Sequence, residues 1–526
     1  MKVLISDNLP DICKTILESA DIQVTTKTDF TPEELQKEIG VYNGLIIRSS
    51  TQCTPEIIEK ADKLQAICRA GVGVDNVNVP AATKKGVIVM NTPGGNTTST
   101  AEHTIALLLA LSRNIPQACN SVREGKWERK KFTGTQVSGK VLGVIGLGKI
   151  GKEVAKRAIA LEMRVLGYDP FVSNEKIPKL NIQLVKSPDE IYRQADYITL
   201  HIPLLNDTKH MISSSELELM KDGVRIINCA RGGIISEDSL YDAIVSGKVA
   251  GAAIDVFEKE PPENNKLLEL DNVLPTPHLG ALTKEAQLAV AEDAAKQMVD
   301  VLKNNIIRNA VNMPVQGSEE LQQLKPYIAL TEKMGALLCQ LVSGRIQSID
   351  IQYSGGVSKD NIRPLTDCLL VGLLKDVLDE NVNIVNVRIL ADERGIKINE
   401  IISSATGDYT NLIFARINTD DGESSVSGTV FKNNEPKIET INDYSVDMDP
   451  IGHVLILFGQ DKPGLIGEIG KVLGDQNVNI GHMTFGRKET GGVAMIVLNV
   501  DAVVSQETLL SIEKMECINS AYMLKF

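Results

Sequence analysis

No Cys-x-x-Cys pair occurs in this chain, although it carries eight cysteines. That scatter excludes a zinc ribbon and a disulfide scaffold, so the thiols read as reduced and no metal site is expected. Long apolar runs are also missing. The longest, around Thr104 to Leu111, falls far short of the roughly 18 residues that a membrane-spanning helix needs. The apolar start Val3-Leu4-Ile5 breaks off at Ser6-Asp7, too early for the core of a signal peptide. It reads as a first β-strand, and a cytoplasmic protein is expected. Positive charge is in deficit: the net charge of −13 repels polyanions, so neither nucleic acid nor membrane is expected as a partner. What is present suits soluble globular domains. With 43% hydrophobic and 23% charged residues, the 526-residue chain should form three or four units at about 150 residues each.

From Lys2 to Asn91, short β-rich runs (Val3–Ile5, Ile22–Thr26, Leu45–Arg48, Gln65–Ala70, Val87–Asn91) alternate with helix-like stretches opened by Thr31-Pro32-Glu33 and Thr54-Pro55-Glu56. The rhythm is βαβ, hence a parallel sheet. A turn at Thr92-Pro93-Gly94-Gly95-Asn96 follows, and Ser99-x-x-Glu102 is expected to open a long helix as a capping box. A second alternating series runs from Val141–Ile145 through Val165–Tyr168, Tyr197–Leu200, Arg225–Cys229 and Ala252–Val256. The fold class is therefore α/β, with two doubly wound parallel-sheet domains of Rossmann type. Beyond Pro314 the texture changes to a helix around Leu330 to Leu341 followed by Gly-rich and polar segments, which reads as a separate α+β domain. The tail from His453 reads β-α-β-β-α-β, the ferredoxin-like arrangement.

Gly146-Leu147-Gly148-Lys149-Ile150-Gly151 follows an apolar strand directly and opens a helix. The glycines permit a tight turn and close backbone approach, and the helix N-terminus offers free N–H groups to a pyrophosphate. The next strand ends at Asp169, about 20 residues on, where a carboxylate accepts hydrogen bonds from a ribose diol and repels a 2′-phosphate. NAD is the expected cofactor. Two further strand ends carry polar groups: Asn228-Cys229-Ala230-Arg231-Gly232-Gly233, and Asp255 to Pro262 followed by Pro277-His278-Leu279-Gly280. Hydride exchange with a 2-keto or 2-hydroxy acid needs a proton carrier and a cation for the carboxylate. His278 fits the first role, with Glu260 favouring its imidazolium, and Arg231 offers a planar fork for the second. Singly, such an arginine is often a surface ion pair and a Pro-His turn often structural. His201, after its own strand, is the rival acid/base, though it suits a cofactor-lining position better. His103 and His210 read as ordinary helix or loop residues.

Together with Arg69-Ala70-Gly71-Val72-Gly73-Val74-Asp75-Asn76, these stretches resemble the D-isomer-specific 2-hydroxyacid dehydrogenases, in their long form, over essentially the whole chain. The resemblance implies a discontinuous substrate domain, 1–95 and 281–312, an NAD-binding domain, 96–280, an intervening regulatory domain, 313–450, and an ACT domain, 452–526. It places the catalytic arginine, glutamate and histidine at Arg231, Glu260 and His278. Cofactor contacts would come from Gly146, Gly148, Lys149, Ile150, Gly151, Asp169, Pro203, Thr208, Cys229, Ala230, Asp255 and Gly280. Substrate contacts would come from Arg48, the Val72 and Gly73 amides and Asn96. Lys149, where arginine is common, and Leu282, where serine is, depart from the family pattern without removing a catalytic group.

Cations beyond Arg231, namely Arg48, Arg69 and the run Arg129-Lys130-Lys131, are candidates to hold a phosphorylated substrate; that this substrate is 3-phosphoglycerate is what the resemblance implies. A charge run is usually a solvated face. The resemblance implies instead that Arg129 reaches the substrate phosphate of a neighbouring subunit, in a homotetramer. It also implies an amino-acid effector, L-serine, held by Asp461 and Asn479, where a helix-capping aspartate and a turn asparagine are the plainer reading. Rival functions are glyoxylate or D-lactate reduction, and an NAD or amino-acid sensor without catalysis. The first usually lacks the two C-terminal domains, and the completeness of the site argues against the second.

Overall fold

The computed structural model describes residues 1–172, 181–304, 306–313, 318–359, 361–378, 381–403, 409–431 and 434–526. The first sheet contains β1 (Lys2–Ile5), β2 (Gln23–Thr26), β3 (Gly44–Ile47), β4 (Ala66–Arg69) and β5 (Ile88–Asn91), all parallel in the order β2-β1-β3-β4-β5. Helices cover both faces, which is why β3 is buried at every position and reads as an unbroken apolar run. The Thr31 signal holds as a full capping box with Glu34.

The second sheet contains β6 (Val141–Ile145), β7 (Arg164–Tyr168), β8 (Ile182–Leu184), β9 (Tyr197–Leu200), β10 (Val224–Asn228), β11 (Val249–Ile254) and β12 (Val273–Pro275). Their order, β12-β11-β10-β9-β6-β7-β8, is the doubly wound arrangement with its switch point between β6 and β9. The edge strands β8 and β12 are three residues each and leave no clear pattern in the sequence.

Two helices join the lobes. Thr97–Arg113 packs Ala101 and Leu108 beneath the second sheet with Val144 and Ile227. Lys284–Val299 returns to the first, placing Val290, Ala294 and Met298 against Val3, Ile5 and Cys68. The expected capping box is not formed. The first of these helices starts two residues earlier than Ser99, with Asn96 as N-cap and no side-chain cap. Ser99 Oγ lies instead 2.6 Å from Thr283 Oγ1, a tertiary hydrogen bond that outcompetes the local one.

The third sheet, β13 (Ile346–Gly355), β14 (Lys397–Ser403), β15 (Asn411–Thr419), β16 (Glu423–Val430), β17 (Pro436–Ile441) and β18 (Tyr444–Met448), is mixed, with β13 and β14 parallel and the rest antiparallel. The fourth is antiparallel: β19 (His453–Gln460), β20 (Ile480–Arg487), β21 (Val493–Val500) and β22 (Ile518–Lys525), ordered β20-β21-β19-β22 with two helices on one face. Its other face is buried too. Val454, Ile456, Met495, Val497 and Leu524 share one core with Leu330, Ile413 and Val426 of the third unit. The expected boundary at Pro314 lies outside the described residues.

Candidate active site

The carboxyl ends of both parallel sheets open into one cleft of about 680 Å³. On the second lobe, β6 turns at Gly146, whose φ of +94° belongs to the left-handed region, and a Cβ there would lie 2.4 Å from the His201 carbonyl oxygen. Gly148 caps the helix Lys149–Ala160 and faces open space, so the backbone N–H groups of its first turn are approachable. Gly151 sits under the turn, where any Cβ would be 2.0 Å from the Gly146 carbonyl oxygen. Asp169, just past the end of β7, accepts from the Leu147 and Phe171 N–H groups at 2.9 Å each, which puts its carboxylate beside the glycine turn. Turn, helix terminus and acid together fit a dinucleotide.

Arg231 follows β10 and meets the other lobe. Its Nε donates to Asp75 at 3.1 Å and its Nη1 to the Ala230 carbonyl at 2.7 Å. A Cβ on Gly73 would lie 2.0 Å from Arg231 Nη2, so the guanidinium rests directly on the Val72-Gly73 backbone. Arg69 stands behind it and donates to the Gly73 carbonyl at 2.6 Å, leaving its Nε buried and unpaired. Burial chiefly, with the charges of Arg231 and Arg48 added and Asp75 opposing, brings Arg69 down to about 10. Asn96 Oδ1 lines the same cleft, buried and without a partner.

His278 is held in a left-handed conformation, φ +55°, with its N–H donating to the Asp255 carbonyl at 2.9 Å. Its Nδ1 lies 2.8 Å from Glu260 Oε2; the carboxylate only accepts, so Nδ1 carries the proton and Nε2 is the ring atom left for other chemistry. Partial burial pushes the Glu260 carboxyl up, but the His278 hydrogen bond and charge and the Phe257 N–H outweigh it and hold Glu260 below the ordinary carboxylate range. Asp255, at the end of β11, organises this loop. Its carboxylate accepts from Thr276 at 2.6 Å, Leu279 N–H at 2.8 Å and Gly280 N–H at 2.9 Å. Burial alone would raise its pKa, and these bonds together with His103 lower it instead.

The cleft is lined by thirteen of the residues singled out from the sequence: Val72, Gly73, Asn96, Gly148, Lys149, Ile150, Pro203, Cys229, Ala230, Arg231, Asp255, His278 and Gly280. Glu260 stands behind His278, and Thr208 braces the Pro203 loop by donating to the Pro203 carbonyl at 2.7 Å. His201 also lines the cleft, but burial brings it down to about 4 and its Nε2 faces Thr199 rather than a carboxylate. Arg48 ends β3 with its backbone N–H on Asp7, and Arg129 lies on an exposed turn; neither lines the cleft of the single chain. Asp461 and Asn479 sit in the fourth unit, where Asp461 is paired with Arg487 at 2.7 Å and Asn479 donates to Asp501 at 2.9 Å.

One residue near the chemistry has no sequence signal. His103, on the linking helix, places Nε2 3.2 Å from Asp255 Oδ1. With Cys229 it forms, among the described residues, the one group of side chains close enough to suggest a metal. The Asp255 oxygens are already taken by four donors and burial pushes the Cys229 thiol up to about 12, so the trio does not offer an open coordination shell.

Residues 105–280 match the family model for the D-isomer specific 2-hydroxyacid dehydrogenase NAD binding domain, 323–442 that for the D-3-phosphoglycerate dehydrogenase intervening domain, and 453–517 the ACT domain. A D-3-phosphoglycerate dehydrogenase from Archaeoglobus fulgidus is 43% identical over 99% of both chains, and one from Bacillus subtilis is 41% identical over 95% of both. Among solved structures, a D-lactate dehydrogenase from Aquifex aeolicus complexed with NAD and lactic acid matches 58% of this chain and 96% of its own, at 28% identity and a TM-score of 0.52. Along its full length and in its order of domains, the chain thus belongs to the D-3-phosphoglycerate dehydrogenase family, NAD-dependent oxidoreductases of the D-isomer-specific 2-hydroxyacid dehydrogenase type.

Proposed function

We propose that the protein oxidises D-3-phosphoglycerate to 3-phosphohydroxypyruvate with NAD, the first step of L-serine biosynthesis. The observation that carries this reading is the meeting of the Glu260–His278 pair and Arg231 in one cleft with a dinucleotide-binding turn. In oxidation, Arg231 and the Val72 and Gly73 amides hold the substrate carboxylate and fix C2. His278 Nε2 takes the proton of the 2-hydroxyl while Glu260 stabilises the imidazolium on its far side. Gly146 to Gly151 and Asp169 would hold NAD, which would supply the hydride acceptor that side chains lack. Asp255, Gly280, Cys229, Ala230, Pro203 and Thr208 shape the nicotinamide end of the site.

Arg48 and Arg69, with Arg129 reaching across a subunit interface, bind the phosphate. The working units are 1–95 with 281–312 for substrate, 96–280 for NAD, 313–450 and 452–526 for regulation, in a cytoplasmic homotetramer. L-serine is the effector of the last unit; its ammonium would replace Arg487 on Asp461, and Asn479 would supply a further polar contact.

The test is NAD-linked oxidation of D-3-phosphoglycerate by the purified protein with product removed, with and without millimolar L-serine. Turnover suppressed by serine supports substrate and effector together. Turnover indifferent to serine removes the effector, and turnover confined to glyoxylate or another unphosphorylated acid returns Arg129 to a solvated face.

A further inference from the structure

His103 is absorbed by none of the roles above, yet it touches Asp255, whose carboxylate accepts from four donors. Asp255 is 1% exposed and receives bonds from the 276–280 loop that carries His278. Three of those donors, the Thr276 hydroxyl and the Leu279 and Gly280 N–H groups, cannot change charge. The fourth, His103, can. Because a carboxylate accepts only, Nε2 of His103 carries a proton in either state, and protonation adds its charge at Nδ1 without breaking the 3.2 Å contact. The pair therefore has two forms of the same geometry: net negative when His103 is neutral, net zero when it is imidazolium.

Asp255 lines the cleft beside Cys229, Gly280 and His278, where the reacting ring of a dinucleotide must come to reach a substrate on Arg231. That ring is a cation in NAD⁺ and neutral in NADH. We propose that His103 is the positioning residue that sets the charge of this wall, and with it the relative affinity of the site for oxidised and reduced nicotinamide. The inference rests on the dinucleotide reading of the cleft. Other titratable groups nearby are Cys229 from the end of β10, His278 and Glu260 from the facing loops, and the Glu102–Arg157 pair between this helix and its neighbour. Two imidazoles line the cleft itself, His201 and His278; burial holds His201 down at about 4, below the pH window used, so His278 is the one that must be separated from His103 by experiment.

The measurement is the dissociation constant of NADH by fluorescence titration, and of NAD⁺ by competition, between pH 5.5 and 8.5. It uses the full-length wild type, His103→Gln, His103→Asn and His278→Gln, each checked for an intact thermal transition. Gln and Asn keep a donor to Asp255 but do not titrate. In the wild type and in His278→Gln, acidification weakens NAD⁺ relative to NADH by about fivefold or more; in both His103 variants the ratio stays flat at the high-pH value. A His103 variant that keeps the wild-type slope overturns the proposal. Failure of the wild type to bind either nucleotide at any pH overturns the reading of the cleft, and this inference with it.

Discussion

Gly73 has no side chain because Arg231 occupies the space a side chain would need. The obstructed atom is the end of a flexible arginine, so Gly73→Ala leaves the fold intact but displaces the guanidinium. The expected result is a KM for the hydroxy acid raised about tenfold or more, with an unchanged thermal transition and unchanged NADH affinity. His278→Ala separates differently: turnover falls by about 100-fold or more while NADH still binds. Near-normal turnover would hand the proton to another group, His201 first. Asp255 supplies a pH dependence. Its folded-state pKa lies below the unfolded one, so its contribution to stability is complete above the unfolded value of about 3.9 and is lost as pH falls through the folded value. Between pH 5 and pH 3 the thermal transition of Asp255→Asn should therefore fall less steeply than that of the wild type; parallel curves would dissociate Asp255 from acid sensitivity.

The helix Lys149–Ala160 can sit on β6 only because Gly151 lets it touch the turn. The clash at this position is with backbone, which cannot swing away. Gly151→Ala should cost about 1–3 kcal/mol and weaken NADH binding in parallel, read as a lower transition temperature and a raised dissociation constant. Elements like this one were legible from the chain because strand, glycine spacing and helix repeat one physical requirement in three ways. The same holds for β1, β3, β4 and β5, whose apolar runs mark a sheet buried on both faces, whereas the edge strand β2 is polar and largely exposed. What was hidden depends on tertiary neighbours. β8 and β12 are too short to carry a period, and Ser99 looked like a cap until Thr283 offered its hydroxyl. His103 shows the limit most clearly: on a helix its side chain has no motif, and its meaning comes from Asp255, far away in the sequence.

At the scale of the whole molecule the four sheets do not form four independent bodies. The two parallel sheets are completed by residues up to Asn312, whose amide accepts from the Val89 N–H and donates to the Val87 carbonyl. The third and fourth sheets, by contrast, share one apolar core. Removing the fourth would leave Ile413, Val426 and Leu330 facing water where Ile456, Val497 and Leu524 had covered them. Among the described residues the third unit meets the first through polar contacts such as Asn383 to the Gly86 carbonyl at 2.8 Å and the exposed ion pair of Lys84 with Glu393 at 2.6 Å, and an exposed pair of this kind contributes little. The longer truncation should consequently be the more stable one to make: a chain ending at residue 313 remains soluble and binds NADH, whereas a chain ending at residue 450 aggregates or loses its cooperative transition. Light scattering and thermal unfolding of the two fragments side by side decide it, and a well-folded 1–450 fragment would mean that the shared core contributes less than its burial implies.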